Sequence, residues 1–429
     1  MQTLQAIGIL VVFLAMVVLL MTRKISVIIA LPVAGFLFCL IAGIPFMSSD
    51  PEVKTTIMTD VLEKGAYAMA STMGAAIFGA IFGSVLNHTG ISKSIIRKAA
   101  ELAGDKPLPV ALALLVAAAL IFSGATFVGI TIMVGTIALP IMMSVGISPL
   151  LAATVLLCGQ ALGSGLNVST WAIYQNTLGL DIAVIGKYTP FILVPMAITA
   201  VAMIVYNLKR EKHVRRAWAM PTEADTEGEK PVRGISLITP IIPIVIVLAF
   251  KFDVIPALMI GIICACILAT PKKPLQLITK CFVEGIQNVA GALAVIIGVG
   301  IIYTAVRTPQ VLAVLEPIIT VIAPKNPLVF IIVFGILAPF ALYRGPLNMY
   351  GMGAGLAAIF AAVGMNPVAA MFGLRTDAYL QVSTCPTNSQ NVWVADFTKT
   401  EVNDIMKRHI IFLWPACIIT AAIGAIMIF

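Results

Sequence analysis

Two arginines, one aspartate and a run of amides and hydroxyls stand inside the most apolar part of this sequence. Between Phe340 and Phe397 the chain holds Arg344, Arg375 and Asp377, and then the polar run QVSTCPTNSQN from Gln381 to Asn391. Such groups are expensive in hydrocarbon, so they mark places that line a cavity or bind something. A second polar run, QALGSGLNVST from Gln160 to Thr170, precedes Tyr174-Gln175-Asn176 in the first half. Glycine, proline and short amides unwind a helix, and hydroxyls and side-chain amides add neutral ligands. That chemistry suits hydrogen bonding to a carboxylate, by Asn167, Ser169, Thr170, Thr387, Asn388 and Ser389, or a partly dehydrated cation, by Gly163, Ser164, Ser383 and Thr384. The alternative for each run is interhelical hydrogen bonding and small-residue packing.

Two short turns carry the remaining candidates. Ser123, Gly124 and Thr126 put small residues and hydroxyls where a helix N-terminus would point into the membrane and favour an anion. At Arg344-Gly345-Pro346 a guanidinium stands at a similar turn, with Asn348 and Tyr350 behind it. A guanidinium can hold a carboxylate in a bidentate fork, or it can pair with Asp377 or with backbone carbonyls. Asp377 is a candidate titrating or cation-binding carboxylate; the alternative is a fixed counter-ion for Arg344 or Arg375. Arg375 and Asp377 are two apart and point to different sides of a regular helix, so a direct pair would need a break there.

The elements that must position these residues are membrane helices. Of the 429 residues, 60% are hydrophobic and 11% charged, against roughly 25% charged in a soluble domain. Apolar segments of about 20 residues recur throughout, which predicts an all-α polytopic membrane protein. In the first half the spans are Leu4–Leu20, Ile25–Pro45, Gly65–Val85, Leu150–Leu166 and Tyr188–Tyr206, with a short pair, Leu108–Phe122 and Gly124–Val145, that suits a re-entrant hairpin. The second half repeats the pattern through Ile235–Ala249, Val254–Thr270, Gly285–Ala305, Leu328–Ala341, Pro346–Val363, Pro367–Leu380 and Ile410–Phe429. Between the halves runs a hydrophilic linker, Asn207 to Gly234.

Self-comparison supports duplication. Lys106-Pro107-Leu108 matches Asn326-Pro327-Leu328, Gly146-Ile147-Ser148-Pro149 matches Gly364-Met365-Asn366-Pro367, and Pro195-Met196-Ala197-Ile198 matches Pro415-Ala416-Cys417-Ile418. The expected domains are residues 1–206, the linker 207–234, and residues 235–429. With about five crossings and a hairpin in each half, the repeats are inverted relative to each other. Placing the linker in the cytoplasm puts Arg23, Lys24, Lys93, Arg97, Lys98, Lys272, Lys273, Lys280, Lys399, Lys407 and Arg408 on one side, as the positive-inside rule requires. The same rule explains the net charge of +8 without nucleic acid. The seven cysteines lack paired or zinc-like spacing, and His88, His213 and His409 form no cluster. No nucleophile–base pair or phosphate loop is present, so enzyme activity and a cofactor are not expected.

Taken together, the residues resemble the ion transporter superfamily, the clan of divalent-anion/sodium symporters, citrate permeases, gluconate permeases and C4-dicarboxylate carriers. The closest local likeness runs from Ser123-Gly124-Ala125-Thr126 through Leu139-Pro140 to Gly146-Ile147-Ser148-Pro149; glycine and alanine follow the serine where the pattern has asparagine. The resemblance implies secondary active transport of a small organic anion coupled to Na⁺ or H⁺, in a bacterial-type inner membrane. It also implies a homodimer that moves a transport domain, elevator-fashion, against a scaffold. An alternative reading is a Na⁺/H⁺ antiporter without organic substrate, working through Asp377.

Overall fold

A computed structural model describes residues 2–48, 50, 55–211, 232–362 and 364–429. The described residues contain helices and no strand. Most of the expected linker, residues 212–231, lies outside them, as do Lys54 and Val363.

The first half opens with two apolar helices, α1 (Gln2–Met21) and α2 (Val27–Ile41). A π-helical turn, Ile57–Glu63, leads into α3 (Lys64–Tyr67) and α4 (Ala70–His88). Helix α5 (Ile91–Ala103) was not among the expected elements. It buries Ile91, Ile95 and Ile96 on one face and is too polar on the other to cross a membrane. The two segments expected to form a hairpin follow as α6 (Pro107–Gly124), itself long and apolar enough to cross a membrane, and α7 (Val128–Ser144). Helix α8 (Pro149–Leu166) breaks at Asn167 and resumes as α9 (Val168–Leu178), and α10 (Ile182–Arg210) closes the half.

In the second half, a 3₁₀ turn at Gly234–Ile241 runs into α11 (Ile242–Phe250), followed by α12 (Val254–Ala269) and the long α13 (Pro274–Val306). Helix α14 (Pro309–Ile322), also not expected, occupies the place that α5 has in the first half. Then come α15 (Pro327–Ile331), a π turn at Ile332–Ile336, a 3₁₀ segment at Ala338–Arg344, and α16 (Gly353–Ala362). The last elements are α17 (Pro367–Thr384), α18 (Ser389–Thr398) and α19 (Val402–Ile428).

Local chemistry explains the starts. Ser148, Asn326 and Asn366 each stand before a proline and accept a backbone N–H of the first turn with their side chains. Proline at the first helical position loses no hydrogen bond, and the capping oxygen satisfies an orphan donor. The helix bounds also recur at a steady shift: α8 and α17 start and end 218 positions apart.

Seven helices among the described residues are long and apolar enough to cross a membrane, or eight if the pair 327–336 and 338–344, bent by 44°, is one span. This is a multi-pass membrane protein. Two expected spans are shorter than the sequence suggested, α2 with 15 residues and α12 with 16, while α11 with its 3₁₀ entry runs from 234 to 250, close to the expected Ile235–Ala249. Helix α13 packs against α2, α3 and α4, while α6, α8, α10, α17 and α19 form a second set of mutual contacts. Close approach in that second set rests on glycine. A Cβ on Gly163 would lie 2.5 Å from the Ala119 carbonyl of α6, and one on Gly159 would lie 2.6 Å from the Ala118 side chain.

Candidate functional site

The break after α8 is closed by side chains that reach into it. Asn167, wholly buried, caps α9 by accepting the Ser169 N–H at 2.8 Å, and it also accepts the Ser169 hydroxyl at 2.6 Å. Thr170 donates to the carbonyls of Ser164 at 2.9 Å and Asn167 at 2.8 Å. The Gly165 carbonyl accepts from Trp171 Nε1 at 2.9 Å and from Arg375 Nη2 at 2.7 Å. Arg375 therefore crosses from α17 to finish the end of α8. Its other terminal nitrogen donates to Thr189 Oγ1 at 2.7 Å and to the Ile185 carbonyl at 3.2 Å, and its guanidinium stands over the Trp171 ring.

The break after α17 is closed mostly by its own amides. Asn388 donates to the carbonyls of Gln381 at 3.0 Å and Val382 at 3.3 Å, and accepts from Gln381 Nε2 at 2.8 Å. Asn391 donates to the Cys385 carbonyl at 3.0 Å. His409, buried inside α19 rather than in a loop, faces the Ser383 carbonyl with Nδ1 at 2.9 Å. Cys385 is extended, as a residue before proline must be. Several of the unwound carbonyls expected to serve a cation thus already accept a protein donor in both breaks.

The two breaks meet at one cavity of about 910 Å³. Of the predicted site residues, Thr126, Ser164, Ser169, Thr170, Arg344, Thr387, Asn388 and Ser389 line it. Gln160, Tyr174, Tyr350, Arg375 and Gln381 join them. So do Arg23 and Lys24, which the sequence placed only in a connecting loop. Among the described residues, four basic side chains line this cavity, and no aspartate or glutamate does. Arg344 is half-buried, with a long contact of 3.5 Å to the Tyr350 carbonyl. Tyr343 and Arg344 both take positive φ, 55° and 63°, a conformation that costs a non-glycine residue roughly 1–3 kcal/mol and collects at functional sites. Arg23 stacks over the Tyr343 ring.

Other predicted residues take different places. Ser123 and Gly124 form the C-terminal end of α6, not a helix N-terminus. Ser123 donates to the Leu120 carbonyl and is buried, so the N-terminus at this tip belongs to α7 and begins at Val128. Gly163 lies against α6 as a packing residue, outside the cavity lining. Asn348 braces its own loop, donating to the Ala341 carbonyl and accepting the Tyr350 N–H. Ser383 donates to the Tyr379 carbonyl at 3.1 Å and approaches the Thr384 hydroxyl; neither residue reaches the cavity. Asp377 is wholly buried, lies outside the lining, and neither of its oxygens has a hydrogen-bond partner among the described residues. It is therefore not the counter-ion of Arg344 or Arg375. The seven cysteines are free, and no group of three metal-ligating side chains occurs among the described residues.

The sequence pattern marked the two breaks but not the basic mouth. The signal that could have found Arg23 and Lys24 is their place between two apolar helices, with Arg23 in a left-handed turn at φ 60°.

No family model matches the chain. A stretch of 171 residues, 38% of this chain, is 28% identical to YraO of Bacillus subtilis (strain 168), an uncharacterized transporter, and the chain spans 36% of that relative's length. The fold is similar to the crystal structure of the Alcanivorax borkumensis YdaH transporter, which has an unusual topology. The TM-score is 0.59 at 12% identity, covering 93% of this chain and 98% of that one. It is also similar to Neisseria gonorrhoeae MtrF, of a class of antimetabolite efflux pumps, with a TM-score of 0.58 at 12% identity over 93% of this chain and 95% of that one.

Proposed function

We propose that this protein is a secondary active transporter of a small organic anion, which it binds in the cavity between the two helix breaks. The observation that carries the reading is the charge of that cavity: Arg23, Lys24, Arg344 and Arg375 line it and no carboxylate does. In a low-dielectric setting such an imbalance favours an anionic guest. Arg375 already serves three protein acceptors, whereas Arg344 has one long contact, so Arg344 is the group that takes the substrate carboxylate. Thr126, Ser169, Thr170, Thr387, Asn388 and Ser389 supply neutral hydrogen bonds around it. The likeness to the YdaH and MtrF structures supports transport as the general activity, and MtrF admits export as well as uptake as the direction.

On this reading the halves are inverted repeats and the linker is cytoplasmic. The basic mouth at Arg23 and Lys24 then opens the cavity inward. Helices α6 to α10 and α15 to α19 form the body that moves, with α13 and its partners as the scaffold of a homodimer. Na⁺ or H⁺ drives the cycle. In proteoliposomes and in a thermal-shift screen of small carboxylates, Arg344→Ala loses at least ~10-fold in anion affinity, the scale of a charge-assisted pair, and keeps the wild-type melting profile without ligand. Unchanged uptake by Arg344→Ala removes the role given to that residue.

The unpartnered Asp377 also favours a second reading, a Na⁺/H⁺ antiporter without organic substrate. An antiporter changes the lumenal pH on a Na⁺ pulse with no anion added; the symporter does not.

A further inference from the structure

Asp377 is wholly buried in the unbroken part of α17, and both of its carboxylate oxygens lack a hydrogen-bond partner. A bare carboxylate in such a place is neutralised, either by a bound cation or by a proton. A sodium ion needs several oxygen ligands, which transporters commonly draw from unwound carbonyls. Here four of those carbonyls already accept side-chain donors, which makes them poorer cation ligands: Ser164 from Thr170, Gly165 from Trp171 and Arg375, Gln381 from Asn388 and Ser383 from His409. A proton needs one oxygen and no cage.

We propose that Asp377 is a proton-binding site and that transport is coupled to a proton gradient through it. This rests on the transporter reading above and chooses H⁺ over Na⁺. The group binds a proton as an O–H on one carboxyl oxygen and gives it up as H⁺ to water on the other side of the membrane; no other bond changes. Tyr174 of α9 and Cys417 of α19 are within electrostatic reach of it, and Tyr379, on its own helix, contacts Cys158 of α8. Arg375 turns to α8 and α10, and Arg344, on the 3₁₀ segment beside α17, turns to Tyr350.

Position explains the coupling. Arg375 and Ala378 line the cavity, so Asp377 is separated from the anion by part of a single helix. A negative guest in the cavity disfavours a second negative charge nearby and so favours the protonated acid. By reciprocity the protonated acid favours the guest, and anion and proton travel together.

The first measurement uses no organic anion. Infrared spectra of the purified protein at neutral pH show the carbonyl stretch of a protonated carboxylic acid, and Asp377→Asn loses intensity equal to one such group. Asp377→Glu keeps the band at a shifted frequency, which guards against a variant that fails to fold. A band unchanged in Asp377→Asn overturns the proposal. Proton release on addition of NaCl, present in wild type and missing in Asp377→Asn, also overturns it, in favour of Na⁺/H⁺ exchange. The second measurement follows medium pH as succinate, citrate or gluconate enters proteoliposomes. Proton uptake accompanies the anion in wild type, whereas Asp377→Asn exchanges the anion and moves no protons. Equal proton uptake by both proteins overturns the coupling role. Because the infrared arm needs no substrate, failure of the anion reading leaves its result distinct.

Discussion

After α8 the helix is interrupted at a single residue, Asn167, while after α17 it stays open from Cys385 to Asn388. The two interruptions expose the same kind of carbonyl, yet they are closed from opposite directions. The first takes its donors from Thr170 and Trp171 beside the break and, across the molecule, from Arg375, which belongs to the other half of the chain. The second takes them chiefly from Gln381, Asn388 and Asn391, within eleven residues of sequence. A break closed from outside cannot shift against α17 or α10 without surrendering charge-assisted bonds, so α8, α9, α10 and α17 are bound into one body. The second break is closed mostly from within, and its ties to other elements, His409 of α19 on the Ser383 carbonyl and the Tyr343 N–H on Cys385 Sγ, come from its own half of the chain.

The largest effect is expected where the first break depends on the second half. Arg375→Ala removes three hydrogen bonds from a charged donor and leaves the Gly165 and Ile185 carbonyls poorer. Charge-assisted bonds contribute about 1.5–3 kcal/mol each at most, and we expect a total loss on the order of 3 kcal/mol or more in a detergent unfolding titration. Arg375→Lys recovers less than half of it, because one ammonium cannot span Gly165 and Thr189 as the planar fork does. A stable Arg375→Ala protein would break the comparison, since the first break would then need no help from α17.

Next in size is the second break. Asn388→Ala removes three hydrogen bonds, one from Gln381 Nε2 and two to the Gln381 and Val382 carbonyls, and at ~1 kcal/mol or less per neutral hydrogen bond the loss is at most about 3 kcal/mol. Hydrogen exchange should rise within residues 381–392 and stay unchanged in 160–176. Faster exchange in both regions would show that the second break is not self-contained.

The sequence carried the existence of these breaks better than their wiring. Hydrophobic period and the Ser148-Pro149 and Asn366-Pro367 starts located α8 and α17 to within a few residues, because capping and proline act locally. Rotation about a helix axis is not local. It decides that Arg375 turns to α10 while Asp377 turns away from every donor, and composition does not encode it. Ser123 illustrates the same limit: its residue type suited a helix N-terminus, but the chain leaves α6 one residue later and places it at a C-terminus. The amphipathic α5 and α14 escaped a reading tuned to long apolar runs, since their signal is a face and not a stretch.

The smallest effect sharpens the comparison. Trp171→Phe keeps the ring beneath Arg375 and removes the Nε1–H that the Gly165 carbonyl accepts. That carbonyl still accepts from Arg375, so the single substitution loses about 1 kcal/mol or less, the worth of one of two bonds to a shared acceptor. Combined with Arg375→Ala, it leaves the half-buried Gly165 carbonyl without either side-chain donor. The pair should then lose more than the two single substitutions added together, by roughly 0.5–2 kcal/mol, as expected for groups that share a partner. Strict additivity in that cycle would mean that the two donors act on independent acceptors. The end of α8 would then be held by packing against α6, where Gly159 and Gly163 already bring the backbones together, and not by the guanidinium that crosses from α17.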